Sequence, residues 1–384
     1  MNILFDLITT YKATGASEYV RRVFYSLMQK SSSNHNIRIY GLYDSNKGEG
    51  VYNDISKLSL EERGITCIDI SQLSIEKIVQ KYSIDKIFIG CAQYWGAYSS
   101  LSQLKCEVIC VVHDLSFEEK SRNYVDLWTH LHRGCYRFLW NYIKYIIKGA
   151  PYLDLMKPYI ELSKDNNKFK FVTVSEYTKN SLVYNFNIKP ESIFVLYSPE
   201  RVFLKNGNIE NCTLKEVITS KKKYYLLISA NRPMKNSIKA IEAFKRFSVI
   251  HKDSYLVTVG ASKKSFENQI VLPFLSESDL TSAYANCYAF IYPTLFEGFG
   301  YPPLEAMRFG KPVLCSNVCS IPEILQNAPL YFSPLYDTEI FSALMKLTDD
   351  NYSSFSSRSL KQYKQVYQKQ ENDLQTLINL IINE

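Results

Sequence analysis

The sequence predicts an α/β protein built from two parallel-sheet domains. Three observations carry this. The chain has 384 residues, more than one hydrophobic core usually serves. Short apolar, β-branched runs alternate with amphipathic helical stretches along its length, the rhythm of parallel strands joined by crossover helices. That rhythm is interrupted once, by the polar stretch 198–223 with Asn206–Gly207–Asn208 and Lys221–Lys222–Lys223, and then restarts. A linker is therefore expected near 199–211, with domains at 1–200 and 201–358. The segment 359–384 is expected to be a charged amphipathic helix packing back on the N-terminal domain.

In the first half, residues 2–7 read as a buried strand, 8–17 as a loop holding Gly15, and 18–30 as an amphipathic helix. Strands follow at 36–43, 65–70 and 86–91, with a helix at 74–82. The apolar run 107–112 ends in His113–Asp114, and a strand that delivers a residue pair at its carboxyl end points it toward the ligand edge of an open sheet. Residues 171–175 are a strand, Ser175 caps a helix over 176–184, and 193–197 is the last strand of this half. In the second half, strands are expected at 224–229, 255–259, 269–272, 289–292, 313–316 and 329–332. Helices are expected at 237–249, from Ser276 to 285, after Pro302–Pro303, and from 337 onward with a break at 349–357.

Composition excludes several classes. The net charge of +7, from 45 basic and 38 acidic residues, is too mild to argue for a nucleic-acid partner and fits small anionic ligands. Nine cysteines lack zinc spacing or a CxxC pair, as expected of reduced thiols in a cytoplasmic protein. MNILFDLITT has no basic leader and carries an aspartate in its apolar run, unlike a signal peptide. No apolar run approaches the ~20 residues that span a bilayer. Arg133, Arg137, Lys144 and Lys148 alternate with aromatic residues. Two readings fit this stretch: a core helix with a solvated basic face, or peripheral contact with the inner face of a membrane or a lipid-linked ligand.

The chemistry concentrates in PTLFEGFGYPPLEAMRFGKP, residues 293–312. Glu297 and Glu305 are carboxylates suited to sugar or ribose hydroxyls. Gly298 and Gly300 leave backbone N–H groups uncovered before a helix start, which suits a phosphate. Arg232 and Lys235 sit in ANRPMKN between a strand and a helix. Cations at a helix N-terminus oppose the helix dipole unless an anion lies between them. A phosphate-bearing ligand with hydroxyls follows, a nucleotide or sugar nucleotide. A DxD triad and the dinucleotide fingerprint GxGxxG are both missing from the sequence, so no metal and no nicotinamide cofactor is expected.

EGFGYPPLE resembles the E-x7-E signature of retaining glycosyltransferases of the GT-B fold, family 4. The resemblance continues, in family order, in VHDLSFEE (112–119), VTVSEYTKNSL (172–182), RPMKN (232–236) and CSIPEI (319–324), and so covers nearly the full length. It implies two Rossmann-like domains facing a central cleft. It implies that Glu305 holds the donor ribose and that Glu297, with Gly298, Phe299, Gly300 and Tyr301, lines the donor sugar and its phosphate. Arg232 and Lys235, with Asn236 beside them, would clamp the diphosphate. Gly15 and Ala16 would approach it from the first loop, Val271 and Leu272 would lie near the base, and His113 near the transferred sugar and acceptor. The family is similar to enzymes that extend lipopolysaccharide, capsule or lipid-linked glycans, uses a nucleoside-diphosphate sugar and generally no metal, and retains anomeric configuration. Two departures stand out. The first loop carries Gly15–Ala16 where many members have two glycines, and Arg232 precedes Lys235 by three positions, which makes Lys235 the stronger candidate. A phosphorylase or epimerase on this fold, or a non-catalytic carbohydrate-binding protein, are the alternatives.

Overall fold

The computed structural model describes residues 1–11, 14–32, 36–47, 53–92, 104–116, 159–161, 164, 168–201 and 209–383. The Arg133–Lys148 stretch lies outside the described residues. The chain divides into two units, Met1–Val202 with Lys369–Glu384, and Phe203–Gln368.

The first unit contains β1 (Asn2–Asp6), α1 (Gly15–Ser32), β2 (Arg38–Tyr43), α2 (Lys57–Glu62), β3 (Thr66–Asp69), α3 (Ile75–Tyr82), β4 (Lys86–Ile89), β5 (Glu107–Val112), β6 (Phe169–Thr173), α4 (Glu176–Phe186) and β7 (Ile193–Val195). Its described strands form one sheet in the order β3-β2-β1-β4-β5-β6-β7, with parallel pairing throughout. The central strands are buried along nearly their whole length, as in β4 and β5. Helices cover both faces of a parallel sheet, so its strands read as continuous apolar runs rather than alternating ones.

The second unit contains α5 (Cys212–Thr219), β8 (Lys223–Leu227), α6 (Ser237–Ile250), β9 (Ser254–Val259), β10 (Gln269–Leu272), α7 (Glu277–Asn286), β11 (Ala289–Tyr292), α8 (Tyr301–Arg308), β12 (Val313–Ser316), α9 (Ile321–Leu325), β13 (Leu330–Phe332) and α10 (Asp337–Lys346). Its sheet runs β10-β9-β8-β11-β12-β13, again parallel. In both sheets the strand order reverses beside the first strand, at β1/β4 and at β8/β11. In open α/β sheets ligands bind outside the carboxyl ends of the strands at such a reversal.

Three local expectations are corrected. Helix α1 starts at Gly15 rather than at residue 18. The Thr14 N–H donates to Ser17 Oγ at 2.7 Å, the Ser17 N–H to Thr14 Oγ1 at 3.2 Å, and the Glu18 N–H to the Thr14 carbonyl at 3.1 Å. This reciprocal cap puts Gly15 and Ala16 in the first helical turn, not in a loop. Helix α5 lies inside the polar stretch 198–223. Asn211 caps it by accepting from the Leu214 N–H at 2.9 Å, and only Leu214 and Val217 anchor it in the core, too few to mark a helix in the sequence. The expected break at 349–357 does not exist, because α11 (Asp349–Ile382) is one helix of 34 residues. Its serine-rich start has poor helix propensity. Asp349 and Asp350 suit the positive helix end, and Phe355 is buried there, so packing overrides propensity.

The last part of α11 is tied to the first unit. The Tyr197 N–H donates to Asp373 Oδ2 at 2.7 Å, Arg22 pairs with Glu371 at 3.2 Å, and Lys86 Nζ donates to the carbonyls of Leu380 and Asn383. Gln370, 2% exposed, donates from Nε2 to the Ser198 carbonyl at 2.5 Å. No helix among the described residues is long and apolar enough to cross a membrane. Gln370→Ala leaves that buried carbonyl without its donor and is expected to cost about 1–3 kcal/mol. Urea unfolding followed by circular dichroism checks this, and an unchanged midpoint would show that the bond contributes nothing.

Candidate functional site

The candidate site of the second unit is made by the segments that leave β8 and β11, the two strands at its reversal point. After β8 the chain forms a 3-10 turn, Pro233–Lys235. The Arg232 N–H donates to the Ser229 carbonyl and the Lys235 N–H to the Arg232 carbonyl, both at 3.0 Å. Ser229 and Asn236 bracket the turn with φ of 55° and 48°, a left-handed conformation that asparagine tolerates better than most residues. The Asn236 side chain is buried, and its Nδ2 donates to the Pro334 carbonyl at 2.8 Å. The two segments are joined directly, since the Leu295 N–H and Thr294 Oγ1 both donate to the Met234 carbonyl, at 2.8 and 3.3 Å.

This joint brings Lys235 to Glu297. The ammonium donates to Glu297 Oε1 and, at 2.5 Å, to the Tyr292 hydroxyl, and the hydroxyl donates to the same Oε1. Lys235 and Glu297 side chains are 14% and 16% exposed. Tyr292 is fully buried, and that burial, reinforced by the neighbouring Glu297 charge, holds its phenol pKa well above the ordinary 10, so the hydroxyl keeps its proton and remains a donor. Arg232 is exposed and forms no ion pair with a described residue. Of the two expected cations, only Lys235 is built into the carboxylate cluster.

The glycine loop is held from the segment that follows β12. At Gly300 φ is 108°, a backbone conformation that side chains with a Cβ rarely adopt, so the position favours glycine. Ser320, fully buried, donates from Oγ to the Glu297 carbonyl at 3.1 Å and the Phe299 carbonyl at 3.2 Å. The segment 319–324 thus serves as the support of the Glu297–Gly300 loop. Gly300 precedes α8, which opens with Tyr301, Pro302 and Pro303, a start that needs no N–H from either proline. The Phe299 and Tyr301 rings meet edge to face at 5.4 Å. Gly298 lies between the carboxylate and this aromatic pair. Glu305, one turn into α8, is 4% exposed, and its charge also raises the Tyr292 phenol. Val271 and Leu272 lie at the end of the edge strand β10, where the Leu272 carbonyl accepts from Gly260; Leu272 is buried and Val271 half-buried.

In the first unit, His113 follows β5 and its Nε2 lies 2.9 Å from the Gly90 carbonyl, just beyond β4. A carbonyl only accepts, so Nε2 carries the proton and Nδ1 is the acceptor of the neutral ring. Burial lowers the His113 pKa below the ordinary 6.5, against the opposing pull of Gly90 and Asp114. The Tyr19 ring of α1 stands edge-on to the imidazole at 4.8 Å. Gly90 permits this packing: a Cβ there would lie 2.3 Å from Val20 Cγ2. The sequence segments 112–119 and 172–182 meet where Thr178 Oγ1 donates to the His113 carbonyl at 3.2 Å, and Ser175 caps α4 by accepting from the Thr178 N–H.

In the sequence Tyr292 reads only as the last residue of a buried strand, and Ser320 carries no sign of a role. Neither has a spacing signal, because each acts across strands brought together only by the sheet.

The family model described as "Glycosyl transferases group 1" matches residues 210–365. The O-antigen chain mannosyltransferase RfbU of Salmonella typhimurium is 31% identical over 179 residues, 42% of this chain and 46% of that protein. The O-antigen chain mannosyltransferase B of Escherichia coli is 27% identical over 230 residues, 55% of this chain and 60% of that protein. The matches thus span about half the length of these relatives. Among solved structures, WaaG, a glycosyltransferase involved in lipopolysaccharide biosynthesis, aligns with a TM-score of 0.64 at 12% identity over 100% of both chains. Anabaena Alr3699/HepE in complex with UDP-glucose aligns at 0.62 and 14% identity, over 98% of this chain and 99% of that one. These likenesses, with two parallel-sheet α/β units, show a fold of the GT-B type.

Ser320→Ala removes both hydrogen bonds that hold the glycine loop and is expected to cost about 1–3 kcal/mol of the second unit's stability. Urea denaturation read from hydrogen exchange of residues 296–301 checks it, and wild-type protection of that loop would count against the support assigned to Ser320.

Proposed function

We propose that the protein is a retaining glycosyltransferase that moves a hexose from a nucleoside-diphosphate sugar to a hydroxyl of a glycan or lipid-linked saccharide. Lipopolysaccharide O-antigen or a related surface polysaccharide is the product class that the relatives' names support. The observation that carries the reading is the Lys235–Glu297 pair at the β8/β11 reversal, beside a Gly298–Gly300 loop and the start of α8. When the sugar–phosphate bond breaks, negative charge grows on the departing diphosphate. A fixed ammonium is worth most at that moment, because it need not reorganise. Lys235 supplies the positive charge there, so the reaction is expected to run without a metal ion. Arg232 adds reach from an exposed position. Glu297 binds hydroxyls of the sugar, and Glu305 the ribose.

For the first unit the same reading assigns His113 to a sugar hydroxyl, its Nδ1 acting as acceptor. Retention follows if the acceptor attacks on the face the diphosphate leaves, the leaving phosphate taking the acceptor proton. A glycosidase pair flanks the scissile bond from facing elements, whereas Glu297 and Glu305 come from one loop and the helix after it. The mannosyl relatives and the UDP-glucose complex support different donors, so GDP and UDP sugars both enter the test.

Two measurements check the proposal. UDP or GDP should raise the wild-type melting temperature, and Glu305→Ala should weaken that nucleotide's affinity about tenfold to hundredfold. Equal stabilisation of both proteins would remove Glu305 from the site. In a donor and acceptor panel monitored by NMR, the product should keep the donor's anomeric configuration, and turnover should persist in EDTA. An inverted product would sink the front-face mechanism, loss of turnover in EDTA would restore a metal, and phosphate consumed without an acceptor would identify a phosphorylase.

A further inference from the structure

The carboxylate cluster contains one group that donor binding does not use. Tyr292 is the last residue of β11, and its hydroxyl touches both charged partners, Lys235 Nζ at 2.5 Å and Glu297 Oε1. Nζ also lies 4.8 Å from the Tyr292 ring centroid, within the range of a cation–π attraction. An ammonium can only donate and a carboxylate can only accept. The hydroxyl is the one group of the three that does both, so it closes the ring of contacts.

The three partners differ in how firmly they are held. Tyr292 is 1% exposed, its ring stacks with Phe290 at 5.8 Å, and its carbonyl accepts from Ser316 Oγ at 3.3 Å. Two neighbouring strands, β8 and β12, pair with β11 on either side. Lys235 by contrast ends a four-carbon stem on a short turn, with substantial rotamer freedom to lose. Glu297 sits on a loop. The rigid strand therefore supplies the fixed point, and the two mobile charged side chains are referenced to it.

We propose that Tyr292 is a positioning residue: through its hydroxyl it holds the Lys235 ammonium and the Glu297 carboxylate at a set spacing before a donor arrives. The inference rests on the donor reading of this site. An ammonium already ordered loses little further freedom when the diphosphate forms contacts with it, and its charge stands where the transition state needs it. Phenylalanine at 292 would keep the packing and the ring face but remove the bridge.

The test is a double-mutant cycle on kcat/KM for the sugar nucleotide that the panel identifies, with Tyr292→Phe, Lys235→Ala and the pair. Tyr292→Phe is expected to lower kcat/KM about tenfold, with a melting temperature close to wild type. In the Lys235→Ala background the same change should cost less than about twofold, because residues acting through one another are not additive. A loss of the same size in both backgrounds overturns the proposal, since that is what a packing role produces; a folding defect enters both backgrounds and cancels. Full activity of Tyr292→Phe overturns it as well. Either result with an active wild type leaves the donor reading standing. A wild type that neither binds nor turns over any UDP or GDP sugar overturns the donor reading, and this inference with it.

Discussion

A lysine and a glutamate that are mostly withdrawn from water lose hydration on folding, and their attraction offsets that loss only when the remaining donors and acceptors are also met. In the second unit the loss is met by Tyr292, whose hydroxyl accepts from Lys235 and donates to Glu297. The surrounding architecture serves this meeting. The Met234 carbonyl accepts from Leu295 and Thr294, so the turn bearing Lys235 and the loop bearing Glu297 cannot drift apart. Ser320 fastens the same loop from the far side. Each contact is ordinary in strength, but together they place opposite charges from segments about sixty positions apart.

Topology makes the arrangement available. β8 and β11 are neighbours in the sheet, and the strand order reverses between them, which is where open α/β sheets bind ligands. The second sheet repeats the reversal seen beside β1 in the first. There the segment after β4 carries Gly90, His113 follows the next strand, β5, and the close approach of α1 to Gly90 brings Tyr19 onto the imidazole. Burial keeps that histidine neutral, which suits a hydrogen-bonding group and not an anion-binding one. The positive charge of the candidate site is in the second unit, on Lys235.

Much of this was legible in the residues. The structure gives strands 269–272, 289–292 and 313–316 the boundaries that the sequence predicts, because short apolar runs between polar loops leave little latitude. The glycine loop and its two carboxylates were evident from residue type alone. The misreadings share a cause. Helix α5 and the first turns of α11 have weak local signals and exist through caps and a few buried anchors, Leu214, Val217 and Phe355. The start of α1 depended on whether Thr14 and Ser17 would cap each other, a choice between two hydrogen-bonding patterns that the sequence permits equally.

The sequence by itself determined the α/β class, two parallel-sheet units, and the presence of a glycine loop flanked by Glu297 and Glu305 after a buried strand. These follow from local pattern, since hydrophobic periodicity and backbone freedom are set by neighbouring residues. Only the tertiary structure decided which cation joins the carboxylate, that the Asn236 side chain bonds the Pro334 carbonyl, and that Tyr292 and Ser320 belong to the site at all. Those outcomes depend on hydrogen bonds between segments far apart in sequence. Strand order and loop closure set their distances, and no spacing rule within a single segment contains that information.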